Sequence, residues 1–202
     1  MFDKATLQYY SDVRPTYKGS GIGGISRYLN DFVARLLPGC RILELGCGGG
    51  LDAEALIQAG FDVDPTDGVA SIAQQAEQRL CLPVRVMRFD QLASDQEYDA
   101  IWANASLIHV PMESLGDVLT RVHRALRPGG LHGATYKCGG HQGRDRHGRY
   151  YNYPSMEMLL AAYQTSGDWD LVHQFEYVGG GFEDGLGPWA YVVLRRRDSP
   201  HG

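Results

Sequence analysis

The chain has 202 residues, 44% of them hydrophobic, and a formal charge of −5. That length suits a single domain with a substantial core. The acidic balance argues against a general nucleic-acid binder, which displays a basic face. Cys40, Cys47, Cys81 and Cys138 form no C-x-x-C pair, and no apolar run approaches membrane-spanning length. With no cationic-then-apolar leader at Met1, a soluble cytoplasmic protein with reduced thiols is expected.

The first 37 residues read as helical material ahead of the core. A tyrosine-rich piece, Leu7 to Asp12 with Arg14 and Tyr17, runs into Gly19, Gly21, Gly23 and Gly24 and suits a lid. Ile25, Tyr28, Leu29, Phe32, Leu36 and Leu37 then recur at helical spacing and predict an apolar face docked on a sheet. Next comes a short apolar strand, Ile42-Leu43-Glu44-Leu45, a glycine-rich turn over Gly46-Cys47-Gly48-Gly49-Gly50, and an amphipathic helix from Leu51. Bare backbone at the carboxyl end of a first strand is where ligands enter an open α/β sheet. A dinucleotide fingerprint would need a third glycine where Leu51 stands. The spacing present is acidic-x-G-x-G-x-G, on Glu44, Gly46, Gly48 and Gly50.

A second strand from Phe61 ends in Asp67, ahead of Gly68 and a helical pattern from about Ser71. An acid about 20 residues past such a turn is placed to hold ribose hydroxyls. Asp64 competes for the role, but Asp67 lies at the ligand-facing end. The third element, Val84 to Leu92, carries Asp90 and Gln91, with Phe89 or Leu92 beside them. A buried fourth strand from Tyr98 leads to Asn104, Ser106 and His109. Leu115, Val118, Leu119, Val122 and Leu126 give the following helix its core face. Arg127-Pro128-Gly129-Gly130 predicts a tight turn in which the paired glycines take positive φ. A fifth strand over Leu131–Tyr136, a polar loop over Lys137–Tyr153, a helix from near Ser155 and strands over Leu171–Val178 and Trp189–Arg195 complete the chain.

The glycine turn resembles motif I of the class I S-adenosylmethionine-dependent methyltransferases. The two acids, the fourth strand and the R-P-G-G turn follow in that family's order, so the resemblance runs from about Pro38 to Arg196. It implies an α/β, Rossmann-like three-layer sandwich, with a seven-stranded, mostly parallel sheet and one late antiparallel strand. Residues 1–202 would form one domain, a helical lid over 1–37 and a cofactor-binding core over 38–202. The implied cofactor is S-adenosylmethionine, leaving as S-adenosylhomocysteine. Glu44, Gly46, Cys47, Gly48, Asp67, Gly68, Asp90, Gln91 and Asn104 are the residues implied to hold it, with Asp67 on the ribose and Asp90 on the adenine amino group.

The implied reaction is in-line methyl transfer to a small-molecule acceptor. His109 is the candidate base, or else a helix-start histidine packed against the lid. Tyr10, Arg144, Arg149 and Tyr150 are candidate substrate contacts. The arginines read either as bidentate clamps on an anionic or aromatic molecule or as partners of the protein's own acids. Tyr9, Tyr10, Tyr17 and Trp102 are candidate aromatic faces for the sulfonium. His141, Asp145 and His147 lack a further ligand motif, so no metal is expected. The absence of [ND]-P-P-[YF] weakens a nucleobase acceptor, and no motif names the acceptor or an oligomeric state. Three other readings stand beside this one: a nicotinamide oxidoreductase, which the missing glycine and the lack of a Y-x-x-x-K pair disfavour; a non-catalytic S-adenosylmethionine-binding regulator; and an enzyme modifying tRNA or protein.

Overall fold

The computed structural model describes residues 2–12, 25–181 and 184–197. Seven strands form one sheet in the order β3-β2-β1-β4-β5-β9-β8. In chain order these are β1 (Arg41–Leu45), β2 (Asp62–Asp67), β3 (Arg85–Val86), β4 (Tyr98–Asn104), β5 (Leu126–Lys137), β8 (Trp169–Gly181) and β9 (Asp184–Arg196), while β6 (Gly143–Arg144) and β7 (Tyr150–Tyr151) pair separately as a hairpin. Ladders among β1 to β5 are parallel, and β9 runs antiparallel to both β5 and β8. This is the expected α/β sandwich with one antiparallel strand. The order reverses between β1 and β4, which opens a crevice at the carboxyl ends of the strands.

The central strands β1 and β4 read as largely apolar runs because both faces of a parallel sheet are covered there. Leu43, Leu45, Ile101 and Ala103 pack on the side of α5 (Met112–Ala125) and α6 (Met156–Ser166). Alternate residues Ile42, Ala100 and Trp102 pack on the side of α2 (Leu29–Val33) and α3 (Leu51–Gln58). Cys47 and Val84 form a smaller cluster with Ala73 and Ala76 of α4 (Ala70–Leu80). Helix α6 begins as expected, with the Ser155 side chain accepting from Met158 N.

Three local expectations change. The third strand is two residues long and lies at the sheet edge, and Phe89–Gln91 turns into a 3-10 helix. The pre-core helix shrinks to five residues, because Ile25 and Leu37 are 56% and 77% exposed and only Leu29 and Phe32 are fully inside. The R-P-G-G segment is a bulge within β5. Pairing jumps from Tyr98↔Leu126 to Ala100↔Leu131, so four residues loop out. Gly129 alone takes positive φ, whereas Gly130 is needed because a Cβ there would meet Arg127 O at 2.9 Å and Asp99 O at 3.0 Å. Among the described residues no helix is long and apolar enough to cross a membrane.

Candidate active site

A cavity occupies the crevice, floored by the glycine turn and the ends of β1, β2 and β4 and roofed by α1 (Lys4–Asp12). Glu44, Gly46, Cys47 and Gly48 line it together with Asp67, Gly68, Asp90 and Asn104. Eight of the nine residues implied to hold the cofactor therefore share one space. The ninth, Gln91, is exposed, and its side-chain carbonyl accepts from Arg88 N and caps the 3-10 turn.

The turn's glycines serve the protein's own packing as well as access. Gly46 has φ +76°, and a Cβ there would stand 2.6 Å from Ser106 Cβ. Gly50, at φ +79°, faces Ala76 Cβ at 3.2 Å. Gly46 and Cys47 both donate from their backbone to Thr66 O, which locks the turn to β2.

Three carboxylates are buried around this turn. Glu44 is 3% exposed; Ala53 N–H donates to it, yet its Oε2 has no hydrogen-bond partner. Burial, then the nearby Asp52 and Asp67 charges, holds its carboxyl well above the usual range. Asp67 accepts from Gly48 N at 3.1 Å and Val69 N at 2.9 Å, and burial raises it to about 6. The competing Asp64 instead binds Arg85 at 2.6 Å and the Tyr98 hydroxyl at 2.5 Å. Asp52, which the sequence reading missed, accepts from Ser26 N at 2.7 Å and Trp102 Nε1 at 2.8 Å. The signal for it was an acid in the first turn after the glycines, near a buried indole that needs an acceptor. Trp102 is accordingly core, stacked on Phe32 with ring centroids 5.0 Å apart, and does not line the cavity.

At the cavity's rim, Phe89 lines the wall while Leu92 is fully buried in the core. Asp90 reaches the cavity, with Oδ1 accepting from Arg88 Nε at 3.0 Å. Asn104 accepts from Thr135 Oγ1 at 2.7 Å, and Ser106 Oγ donates to Leu45 O at 2.6 Å.

The roof helix brings in residues from the other end of the chain. His109 Nδ1 lies 2.7 Å from the Tyr150 carbonyl, which can only accept. The proton therefore sits on Nδ1, and Nε2 accepts from the Tyr10 hydroxyl at 3.0 Å. Burial pulls His109 down to about 4, so the ring is neutral, and burial raises Tyr10 to about 12. Tyr10 and His109 both line the cavity.

Arg144 and Arg149 face the protein's own acids, outside the cavity lining. Arg144 binds Asp3 at 2.6 Å, and that contact, outweighing the opposing effect of burial, holds Asp3 at about 2. Arg149 is fully buried, pairs with Asp145 at 2.7 Å, and lies under the Tyr9, Tyr10 and Tyr151 rings. Tyr150 accepts at its backbone carbonyl, donates its N–H to Thr6 Oγ1 at 2.8 Å and its hydroxyl to Gln142 at 2.7 Å. These residues clasp α1 to the β6–β7 hairpin. Tyr9 packs on that clasp. Arg14 and Tyr17 lie outside the described residues, as do Gly19, Gly21, Gly23 and Gly24.

Residues 42–130 match a family model described as a methyltransferase domain. A ubiquinone biosynthesis O-methyltransferase of Pseudomonas aeruginosa is 33% identical over 101 residues, covering 46% of this chain and 43% of that one. The chain thus spans less than half the length of the curated relatives it matches there. The fold is shared with a S-adenosylmethionine-dependent methyltransferase of Methanosarcina mazei, at TM-score 0.76 and 14% identity over 87% of this chain and all of that one. It is shared also with the Burkholderia thailandensis 1,6-didemethyltoxoflavin-N1-methyltransferase, whose structure holds that substrate and S-adenosylhomocysteine (TM-score 0.70, 20% identity, 85% and 78% covered). With the glycine turn, the reversal of strand order beside it and the single antiparallel strand, the chain shares the fold of these S-adenosylmethionine-dependent methyltransferases, and its residues 42–130 are similar to a methyltransferase domain.

Proposed function

We propose that the protein transfers a methyl group from S-adenosylmethionine to a small-molecule acceptor bound beneath α1. One observation carries the reading: a bare glycine turn and the acids Glu44, Asp67 and Asp90, from three neighbouring strand ends, surround one roofed cavity. The residues fit the cofactor. The orphaned Glu44 Oε2 needs a donor, and an ammonium, directly or through water, is one. Asp67 stands at the end of β2, where both its oxygens suit a ribose diol. Asp90 and Phe89 form a polar–aromatic wall for adenine.

S-adenosylmethionine supplies a methyl already activated on a sulfonium. What the chain adds is position: holding the reacting atoms about 3–3.5 Å apart and in line accounts for a large share of such an acceleration. Helix α1 closes over the crevice and excludes water, as a lid does. His109 presents a neutral Nε2 to the cavity and can take a proton from the acceptor. The four free thiols suit a reducing cytoplasm, and the acidic cavity, with Arg88 the cation in its lining, suits a small molecule better than a nucleic acid.

Titration calorimetry with S-adenosylmethionine, S-adenosylhomocysteine and NAD in parallel tests this. Heat with the first two and none with NAD is expected. Binding of NAD alone would place the protein among the oxidoreductases, and cofactor binding without turnover of any acceptor would make it a non-catalytic binder.

A further inference from the structure

Three carboxylates ring the glycine turn, and their hydrogen bonds set one of them apart. Asp52 accepts from Ser26 N at Oδ1 and from Trp102 Nε1 at Oδ2. Asp67 accepts from Val69 N at Oδ1 and from Gly48 N at Oδ2. An N–H on each oxygen favours the charged form of a carboxyl group. Glu44 differs. It accepts from Ala53 N–H, but its Oε2 is buried with no hydrogen-bond partner among the described residues. The same residue lines the cavity.

The surroundings offer no charge to balance an ionised Glu44. The groups that face it are Asp52 from α3, Asp67 from β2 and the Cys47 thiol of the turn, which burial keeps neutral. Its register partners, Pro65 in β2 and Trp102 in β4, do not titrate. Elsewhere in the cavity wall, Arg88 bonds Asp90 and lies over the Phe2 ring, and His109 bonds the Tyr150 carbonyl and the Tyr10 hydroxyl. A buried carboxylate beside two others and without a cation takes up a proton instead of holding its charge. Of the three acids, Glu44 is the one placed to do so.

Resting on the methyl-transfer reading, we propose that cofactor binding at this turn is a proton exchange: Glu44 is the neutral acid in the ligand-free protein and gives up its proton as the cofactor's ammonium docks. The Glu44 O–H bond breaks, its electron pair stays on the carboxylate, and the proton passes to solvent. One positive charge leaves and another arrives, so the net charge around the turn is conserved. The exchange sorts ligands. A zwitterion brings the cation that Glu44, set between Asp52 and Asp67, lacks, whereas a pyrophosphate would bring further negative charge to three acids. It also links affinity to pH. Where the free protein holds a proton that the complex does not, affinity rises about tenfold per pH unit.

The probes are S-adenosylhomocysteine and methylthioadenosine, which keeps the adenosine and the thioether but lacks the amino acid. Titration calorimetry of the full chain at about pH 7.5, repeated in buffers of different ionisation heat, counts the protons released on binding. At that pH Asp67, held at about 6, is already ionised and adds little to the count. About one proton is expected with S-adenosylhomocysteine and none with methylthioadenosine, and affinity for the first should rise about tenfold between about pH 7 and 8. Glu44→Gln keeps an acceptor for Ala53 N–H. It should release no proton, bind S-adenosylhomocysteine with an affinity independent of pH over that range, and bind methylthioadenosine as the wild type does. No release with S-adenosylhomocysteine, equal release with the two ligands, or unaltered release in Glu44→Gln overturns the proposal. The contrast between the ligands is read on the wild type, so it stands even where the variant fails to fold. Binding of neither ligand defeats the methyl-transfer reading itself, while binding without proton release defeats only this one.

Discussion

Replacing Gly46 by alanine separates the two reasons a glycine can stand in this turn. At φ +76° an L-residue sits in the left-handed region, which costs roughly 1–2 kcal/mol. The added Cβ would lie 2.6 Å from Ser106 Cβ and 3.3 Å from Ser106 Oγ, about 1 Å inside a comfortable carbon–carbon contact. Neither side yields easily, since Gly46 N bonds Thr66 O at 2.9 Å and Ser106 Oγ bonds Leu45 O at 2.6 Å. Overpacking of that kind adds about 1–3 kcal/mol, for a total of roughly 2–5 kcal/mol. In a Ser106→Gly background only the backbone part remains, although that change alone costs about 1 kcal/mol for its lost hydrogen bond. Urea unfolding of the wild type, both single variants and the double variant gives the coupling directly. A coupling of about 1–3 kcal/mol is expected. A value below about 0.5 kcal/mol, the limit of simple additivity, would refute the steric argument and leave ligand approach as the reason for the glycine.

Three further outcomes are expected. Asp67→Asn should weaken S-adenosylmethionine binding by about ten- to a hundredfold, since a carboxylate accepts charge-assisted bonds that an amide cannot match, and should cost about 1–3 kcal/mol of stability because the amide NH2 must face either Gly48 N or Val69 N; unchanged affinity by calorimetry would mean that another acid holds the ribose. His132 is fully buried, with Nδ1 bonding Ile101 O at 3.1 Å, and burial lowers it to about 4. The unfolded chain then takes up the proton first, so this residue's contribution is complete above pH 6.5 and is lost as pH falls toward 4, by at most about 3 kcal/mol. Buried Asp67 titrates with the opposite sign, so the comparison is wild type against His132→Phe; a stability difference independent of pH would contradict the assignment. Arg149→Met should cost about 3–5 kcal/mol by stranding Asp145 and should free α1 to proteolysis; a variant as stable and as resistant as wild type would remove the clasp from the account.

Much of the scaffold was legible because its signals are local. An apolar run such as Ile42-Leu43-Glu44-Leu45 before five residues with four glycines admits few conformations, and Asp67 beside Gly68 marks a strand end wherever the sheet lies. The same locality misled at the edges. Val84 to Leu92 looks like a strand, yet its place at the sheet border leaves Val86 55% exposed and lets Phe89–Gln91 coil. The paired glycines of R-P-G-G seemed alike, but one supplies a positive φ and the other a close approach to two carbonyls.

Hydrophobic period and turn residues act over a few positions, so the order of elements and the chemistry at the strand ends are written locally in the chain. The partners of its long polar side chains were decided only in three dimensions. Tyr10 meets His109 across 99 positions and Arg144 meets Asp3 across 141. Asp52 finds the Trp102 indole across 50. An arginine written in a loop is equally ready to clamp a substrate or to hold a lid. The choice falls to whichever carboxylate the folded chain brings within hydrogen-bond reach, and no local pattern encodes that distance.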